Sequence, residues 1–303
     1  MKGLNGYGIF YRSEDLIVLI TIISTLVRKM RLTVLAFCPM FNHIHITFNI
    51  IGNLTLKSFI QRLAVAFVRE YNEEYGRKGP LFNKQFGSST KKTVKIILGN
   101  IAYVFNNPVA GKLCRSAKEY RWNLLAFRNC PNPFSQPLRK RSCRTLVRTA
   151  MDKVEYFHSK CKYISYPVLS GIFADLTKEE KQQVTDYILY KYNFLSYESL
   201  ENLFGSFEKM CVAVDSNAGS EYDIEDEYGD HSCYRTMLCI VRDLGFAGKK
   251  LNFELLPKNE SDKLYRIILK SAHVSPTCIN KFLHRPNSTY SPDISSLSIA
   301  PMH

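Results

Sequence analysis

Between Glu14 and Arg31 the chain carries an apolar run, Leu16 to Val27, broken only by Thr21, Ser24 and Thr25. Glu14 and Asp15 precede it and Arg28, Lys29 and Arg31 follow it, the order of charge that complements a helix dipole, so a helix is predicted over 14–30. The run is too short for the roughly 20 apolar residues of a membrane span. Strands are predicted over 32–38 and 43–49, with a tight turn at Pro39. Polarity alternates through the second of these. Asn42, Ile44, Ile46 and Phe48 fall on one face, and Phe41, His43, His45, Thr47 and Asn49 on the other. Leu56, Phe59, Ile60, Leu63, Phe67 and Tyr71 make the apolar stripe of a helix over 54–76, which leaves Lys57, Arg62 and Arg69 for its other sides. An extended segment near 82–89 and a helix over 91–106, ended by Pro108, complete this half. Helices covering one face of a small, mostly antiparallel sheet give an α+β fold.

Pro131, Pro133 and Pro137, then Arg139, Lys140, Arg141, Arg144 and Arg148, predict a basic linker over 131–150. A mainly helical domain is expected over 151–286, with helices at 178–192, 197–207 and 234–244 and an acidic, solvated loop from Glu221 to Asp230. Leu264, Ile267, Ile268 and Leu269 give a helix over 261–271 its apolar side. Ser275 then reads as an N-cap, with Pro276 in the first position of a helix reaching His284. The pair resembles a helix-turn-helix over 261–285 that would turn Thr277, Asn280, Lys281 and His284 toward DNA, and an ordinary helical hairpin fits the same pattern. The Ser-rich tail, 287–303, reads as disordered.

Charge changes this picture more than composition does. The 303 residues are 46% hydrophobic, enough for one or two globular domains, and carry a formal charge of +14. Residues 1–150 hold 24 Lys and Arg against 6 Asp and Glu, or +18; residues 151–303 hold 17 against 21, or −4. A basic N-terminal half is the footprint of a polyanion. Nine cysteines with no C-x-x-C pair argue against a disulfide framework or a zinc ribbon, and His231, Cys233 and Cys239 have no second spaced pair to complete a site. With no signal peptide, the expected location is the cytoplasm and no membrane partner is expected.

Two imidazoles two apart on a strand point the same way and can grip one divalent cation; the plainer reading is two surface histidines. Tyr103 lies one turn before Asn107, so a phenol and an amide emerge together near the end of the third helix. Gly99, Lys95 and Lys92 lie upstream on that side, where a phosphate backbone could approach closely.

Met40, Phe41, Asn42, His43, Ile44 and His45 resemble the M-P-N-H-hydrophobic-H strand of the single-tyrosine HUH transposases, the IS200-like group that includes the REP-associated tyrosine transposases. Arg69 to Asn72, Tyr75, Gly76, Gly79, Leu81 and Phe82 resemble that family's next helix and strand. Tyr103 to Val109 resemble its Y-I-E-x-N-P-V segment, and Tyr120, Arg121 and Trp122 its Y-x-W close, all in order over roughly residues 5–128.

The resemblance implies a ferredoxin-like HUH domain over 1–130, single-stranded or hairpin DNA as substrate, and Mg²⁺ or Mn²⁺ as cofactor. It implies Tyr103 as the nucleophile, forming a 5′-phosphotyrosine and freeing a 3′-OH, with His43, His45 and Asn107 as metal ligands. DNA contacts are expected from Lys92, Lys95, Arg62, Arg69, Lys84 and, in the second half, Lys281; monomer and homodimer both stay open. The first half is expected to cleave and the second to select among DNAs. Phe41 stands for the family's proline and Phe105 for its glutamate. The family's first strand is expected either as a shortened strand within Leu4–Tyr11 or upstream of the first residue. The rival readings are an HUH endonuclease of replication or conjugation, a domesticated DNA-binding protein that no longer cleaves, and a small-molecule metal hydrolase, which the +18 half makes unattractive.

Overall fold

The computed structural model describes residues 1–50, 53–216, 231–246 and 252–286. The acidic stretch 221–230 and the tail 287–303 lie outside the described residues.

The fold is α+β. Helix α1 (Ser13–Met30) is started by Asp15, whose Oδ2 accepts the backbone N–H groups of Tyr11 and Arg12 at 3.0 and 2.9 Å, and is closed by Arg31 in the left-handed region. Strands β1 (Thr33–Met40) and β2 (His43–Asn49) form an antiparallel hairpin with Met40 opposite His43. The turn is at Phe41–Asn42, not at Pro39. Pro39 stays in the ladder opposite Ile44, whose own N–H points away from β1 to the Met1 carbonyl. This pair exchanges no hydrogen bonds, so the missing N–H of Pro39 costs the ladder nothing.

Lys2 bridges to His43 and Gly3 to Phe82, both antiparallel. Lys2–Gly3 thus lies between Phe82 and β2, joined to each by a single isolated bridge beside the two-stranded sheet of β1 and β2. The first-strand position falls to residues 2–3 rather than within 4–11, where Leu4–Gly6 is a 3-10 turn. Of the extended segment expected near 82–89, only Phe82 pairs.

Helices α1 and α2 (Asn53–Tyr75) cover one face, where Phe48 meets Phe59 edge-on at 4.9 Å. Helix α3 (Val94–Ala110) lies on the other, tied to β2 by the Thr47 hydroxyl donating to Asn100 Oδ1 at 2.9 Å. It begins three residues later than expected, at a Thr93 cap, and runs through Pro108 to a C-cap at Gly111. A proline this close to the end forfeits one hydrogen bond, and the N–H groups of Gly111 and Leu113 complete the turn on the carbonyls of Asn107 and Pro108.

The second half adds α4 (Thr145–Ser159), α5 (Tyr166–Phe173), α6 (Lys178–Lys191), α7 (Tyr197–Phe204), α8 (Phe207–Ser216), α9 (Ser232–Val241), α10 (Lys258–Ala272) and α11 (Pro276–Phe282). The single helix expected over 197–207 is split at Gly205, whose φ of 82° ends α7. Helices α5 and α6 pack on α1 from the side opposite the sheet, which buries α1 all round and accounts for its unbroken apolar run. Ser196 donates to the Val34 carbonyl at 2.9 Å, and Leu195 bridges Val34, capping the open edge of β1. Residues 132–138, read as linker, are packed: the Phe134 N–H and the Ser135 hydroxyl donate to Asp186 Oδ2, and Arg121 pairs with the other oxygen at 3.0 Å. Ile17, Phe37, Val154, Ile188 and Leu200 thus share one core that runs through both halves.

Asp15 ties the two halves at their centre. Its Oδ1 accepts the hydroxyls of Tyr75 of α2 and Tyr166 of α5 at 2.8 and 2.9 Å, and burial pushes its pKa up to about 6 against the pull of Arg12 and these donors. Asp15→Ala would strand four donors beside Arg12. It is expected to cost about 3–5 kcal/mol in urea unfolding of the full chain, whereas a loss below about 1 kcal/mol would show that the cluster is not a tie.

Candidate active site

The alternation of β2 sends Ile44 and Phe48 into the α1–α2 layer and His43 and His45 toward α3. The two imidazoles stand edge to face with centroids 4.7 Å apart. Tyr103, from the middle of α3, meets His45 edge-on at 5.8 Å. The strand and the helix therefore bring together the residues that the sequence suggested.

His43 is held by a defined chain of hydrogen bonds. Asn42 donates its amide N–H to the Gly6 carbonyl at 2.9 Å, which leaves Asn42 Oδ1 facing His43 Nδ1 at 2.7 Å. An oxygen cannot donate, so the proton is on His43 Nδ1. Nε2 is then a bare lone pair, and it is buried with no hydrogen-bond partner among the described residues. Burial first, then the neighbouring His45 and His231, push the His43 pKa well below its ordinary value. A neutral imidazole whose far nitrogen is fixed by a second group is the form that binds a cation, and an orphaned buried nitrogen is what such an ion would satisfy. Among the described residues, no three His, Cys, Asp or Glu side chains form a group able to hold a metal ion. Oxygen donors would have to complete the shell.

Asn107 is buried on the turn after Tyr103 and donates its amide N–H to the Tyr103 carbonyl at 2.9 Å, so its Oδ1 is the atom left to ligate. The other tyrosines in the resembling segments have structural posts: Tyr71 donates to the Ile9 carbonyl at 3.0 Å, and Tyr75 to Asp15. Lys92 and Lys95 are exposed at the start of α3, with Lys95 about 12 Å along the axis from Tyr103. Arg62 and Lys84 are also exposed. Arg69 is exposed but bonded to Tyr163 at 2.7 Å and to Glu70. In the second half Thr277 is exposed, whereas the stem of Lys281 lies over Gly6. His284 does not face DNA: its two ring nitrogens bond Glu254 and the Gly8 carbonyl, and it stacks on Tyr7.

Two partners were not foreseen. Asn42 was legible only as the residue before the H-x-H. His231 stands at the start of α9, its ring 5.8 Å from that of His43, and no local pattern links residues so far apart in the chain.

Residues 8–107 match the family model of the IS200-like transposases, a span that includes His43, His45, Tyr103 and Asn107. Over this span the chain is similar to the IS200-like transposases. Comparison of the chain with curated proteins and with solved structures gives no match. No described helix is long and apolar enough to cross a membrane.

The hydrogen-bonding of His43 makes a direct prediction. Long-range ¹H–¹⁵N spectra should show its ring neutral, with the proton on Nδ1, at pH values where an ordinary imidazole is already charged. Below about 6.5 the unfolded chain takes a proton that the buried ring refuses, so stability should fall as pH drops through that range. A neutral ring with its proton on Nε2 would contradict the tautomer, and a ring that charges near pH 6.5 would contradict the effect of burial.

Proposed function

We propose that this chain is a DNA transposase of the single-tyrosine type, in which Tyr103 attacks a phosphodiester of single-stranded or hairpin DNA. The observation that carries this reading is the Tyr103 ring set edge-on to His45, beside a His43 whose buried Nε2 has no hydrogen-bond partner among the described residues. The phenol oxygen forms a bond to phosphorus as the bond from phosphorus to the 3′ oxygen breaks. The phenol loses its proton, the departing oxygen gains one as a 3′-OH, and a 5′-phosphotyrosine remains. Because the new ester replaces the old one, attack by another 3′-OH reverses the step and joins strands without a further energy source.

A Mg²⁺ or Mn²⁺ ion, when bound, would supply a positive charge that polarises the scissile phosphate. His43 Nε2 and His45 would hold it, with Asn107 Oδ1 as the oxygen donor from the protein. Asn42 fixes the tautomer of His43, Lys92 and Lys95 meet the phosphate backbone ahead of Tyr103, and Arg62 and Lys84 extend the basic surface. The helical domain, through α10 and α11, would contribute DNA contacts from Thr277.

A second reading is favoured by one observation: Tyr103 is only 7% exposed, as in a DNA-binding descendant that has ceased to cleave. Covalent adduct formation on a single-stranded oligonucleotide with Mn²⁺ separates the two. The native chain is expected to form adduct and Tyr103→Phe none, with unchanged stability. His43→Ala is expected to lose cleavage by orders of magnitude and to keep DNA binding, which rests on Lys and Arg. Asn42→Ala should weaken Mn²⁺ affinity by about 10–100-fold. Adduct from Tyr103→Phe would remove Tyr103 from the site, and equal Mn²⁺ affinity in all variants would remove the metal.

A further inference from the structure

The groups of the candidate site are covered. His43 and Asn107 are each 5% exposed, and Tyr103 scarcely more. In-line attack needs the phosphorus about 3 Å from the phenol oxygen, a place no DNA strand reaches while these residues are so closed.

Part of the cover comes from the C-terminal end of the chain. His231, itself buried, lies against His43, and its Cδ2 is 3.3 Å from where a side chain on Gly111 would begin. One turn on, Tyr234 stacks on Phe41 with centroids 4.1 Å apart and planes 16° from parallel. Helix α9, which begins between these two residues, packs with α10 and α11 around Met237, Leu264, Ile268, Ile279 and Phe282. This apolar cluster is separate from the main core; the N-terminal part supplies Phe41 as a buried member and Tyr11 packed against it.

The three-helix unit is seated on the N-terminal segment by aromatic contacts, Tyr234 and Phe282 on Phe41 and Phe253 and Phe282 on Tyr11, and by hydrogen bonds and ion pairs around them. Glu254 pairs with Arg77 at 2.8 Å and with His284 at 3.1 Å, and these partners hold its carboxyl down at about 2. The Tyr11 hydroxyl donates to the Phe282 carbonyl at 2.7 Å. Phe41 also passes so close to Gly8 that a Cβ there would come within 2.3 Å of its ring. Because its apolar cluster is separate from the main core, the unit can come away as a local opening that leaves that core closed.

We propose that the α9–α11 unit is an autoinhibitory cap: docked on Phe41 and His43 it excludes a DNA strand from Tyr103, and the cleaving form is the one in which it is displaced. The proposal rests on the reading of His43, His45 and Tyr103 as a cleavage site, but the cap has a readout of its own. Diethyl pyrocarbonate acylates neutral imidazole nitrogens that solvent can reach, and mass spectrometry locates the product. In the full native chain His43 should be protected relative to the exposed His273. Tyr234→Ala and the milder Glu254→Gln, each melting at a temperature that shows an intact main core, should raise His43 acylation at least tenfold and raise adduct yield on a short single strand with Mn²⁺. His43 reacting as fast as His273 in the native chain, or staying protected when both substitutions are combined, would overturn the cap. An opened His43 with no adduct in any variant would support the cap and contradict cleavage by Tyr103.

Discussion

A strand can present two histidines to one side only if its other side is anchored, and the anchoring of β2 sets most of what surrounds it. Ile44 and Phe48 are sunk among α1 and α2 while His43 and His45 face α3, so a slip of one residue would bury the imidazoles in the apolar layer and turn Ile44 outward. The register is guarded on both edges of β2. On one side Met40 to Thr33 pair with it. On the other, Lys2 does, and the Ile44 N–H reaches the Met1 carbonyl.

From that strand the block of helices α4–α8 is not a separable appendage. It supplies the outer wall of α1, the cap on the edge of β1 at Val34, and through Tyr166 one of the donors that hold the Asp15 carboxylate. The hairpin turn then does a second job. Phe41, which stands where the resemblance expects a proline, is the ring on which Tyr234 and Phe282 rest. A departure from the family pattern that looks neutral along the chain is, in space, the seat of the C-terminal helices.

The readings that held were those governed by local periodicity. The alternation from Asn42 to Asn49 placed both imidazoles on one face, and the spacing of Tyr103 and Asn107 placed both on one side of α3. Charge order framed α1, and Ser275–Pro276 marked the start of α11, where the Ser275 side chain accepts the Cys278 N–H. The errors came where context outweighed a local rule. Pro39 and Pro108 sit inside elements because each occupies a position whose N–H is dispensable, which depends on partners and not on the residue. Gly205 divided a helix because its backbone turns left-handed there. Nothing along the chain announces that His231 meets His43 or that His284 bonds Gly8, since both are contacts between opposite ends of the sequence. The same holds for the packing of residues 132–138, whose prolines and basic neighbours read as a linker until Asp186 is seen beneath them.

Tyr103 is the residue proposed to become bonded to DNA. Trypsin releases residues 96–112 as one peptide in which Tyr103 is the sole tyrosine. Mass spectrometry of the digested adduct should find the nucleotide, linked through its 5′ phosphate, on this peptide and on no other. An adduct carried by the peptide of Tyr71 and Tyr75, or by any peptide outside 96–112, would contradict the account.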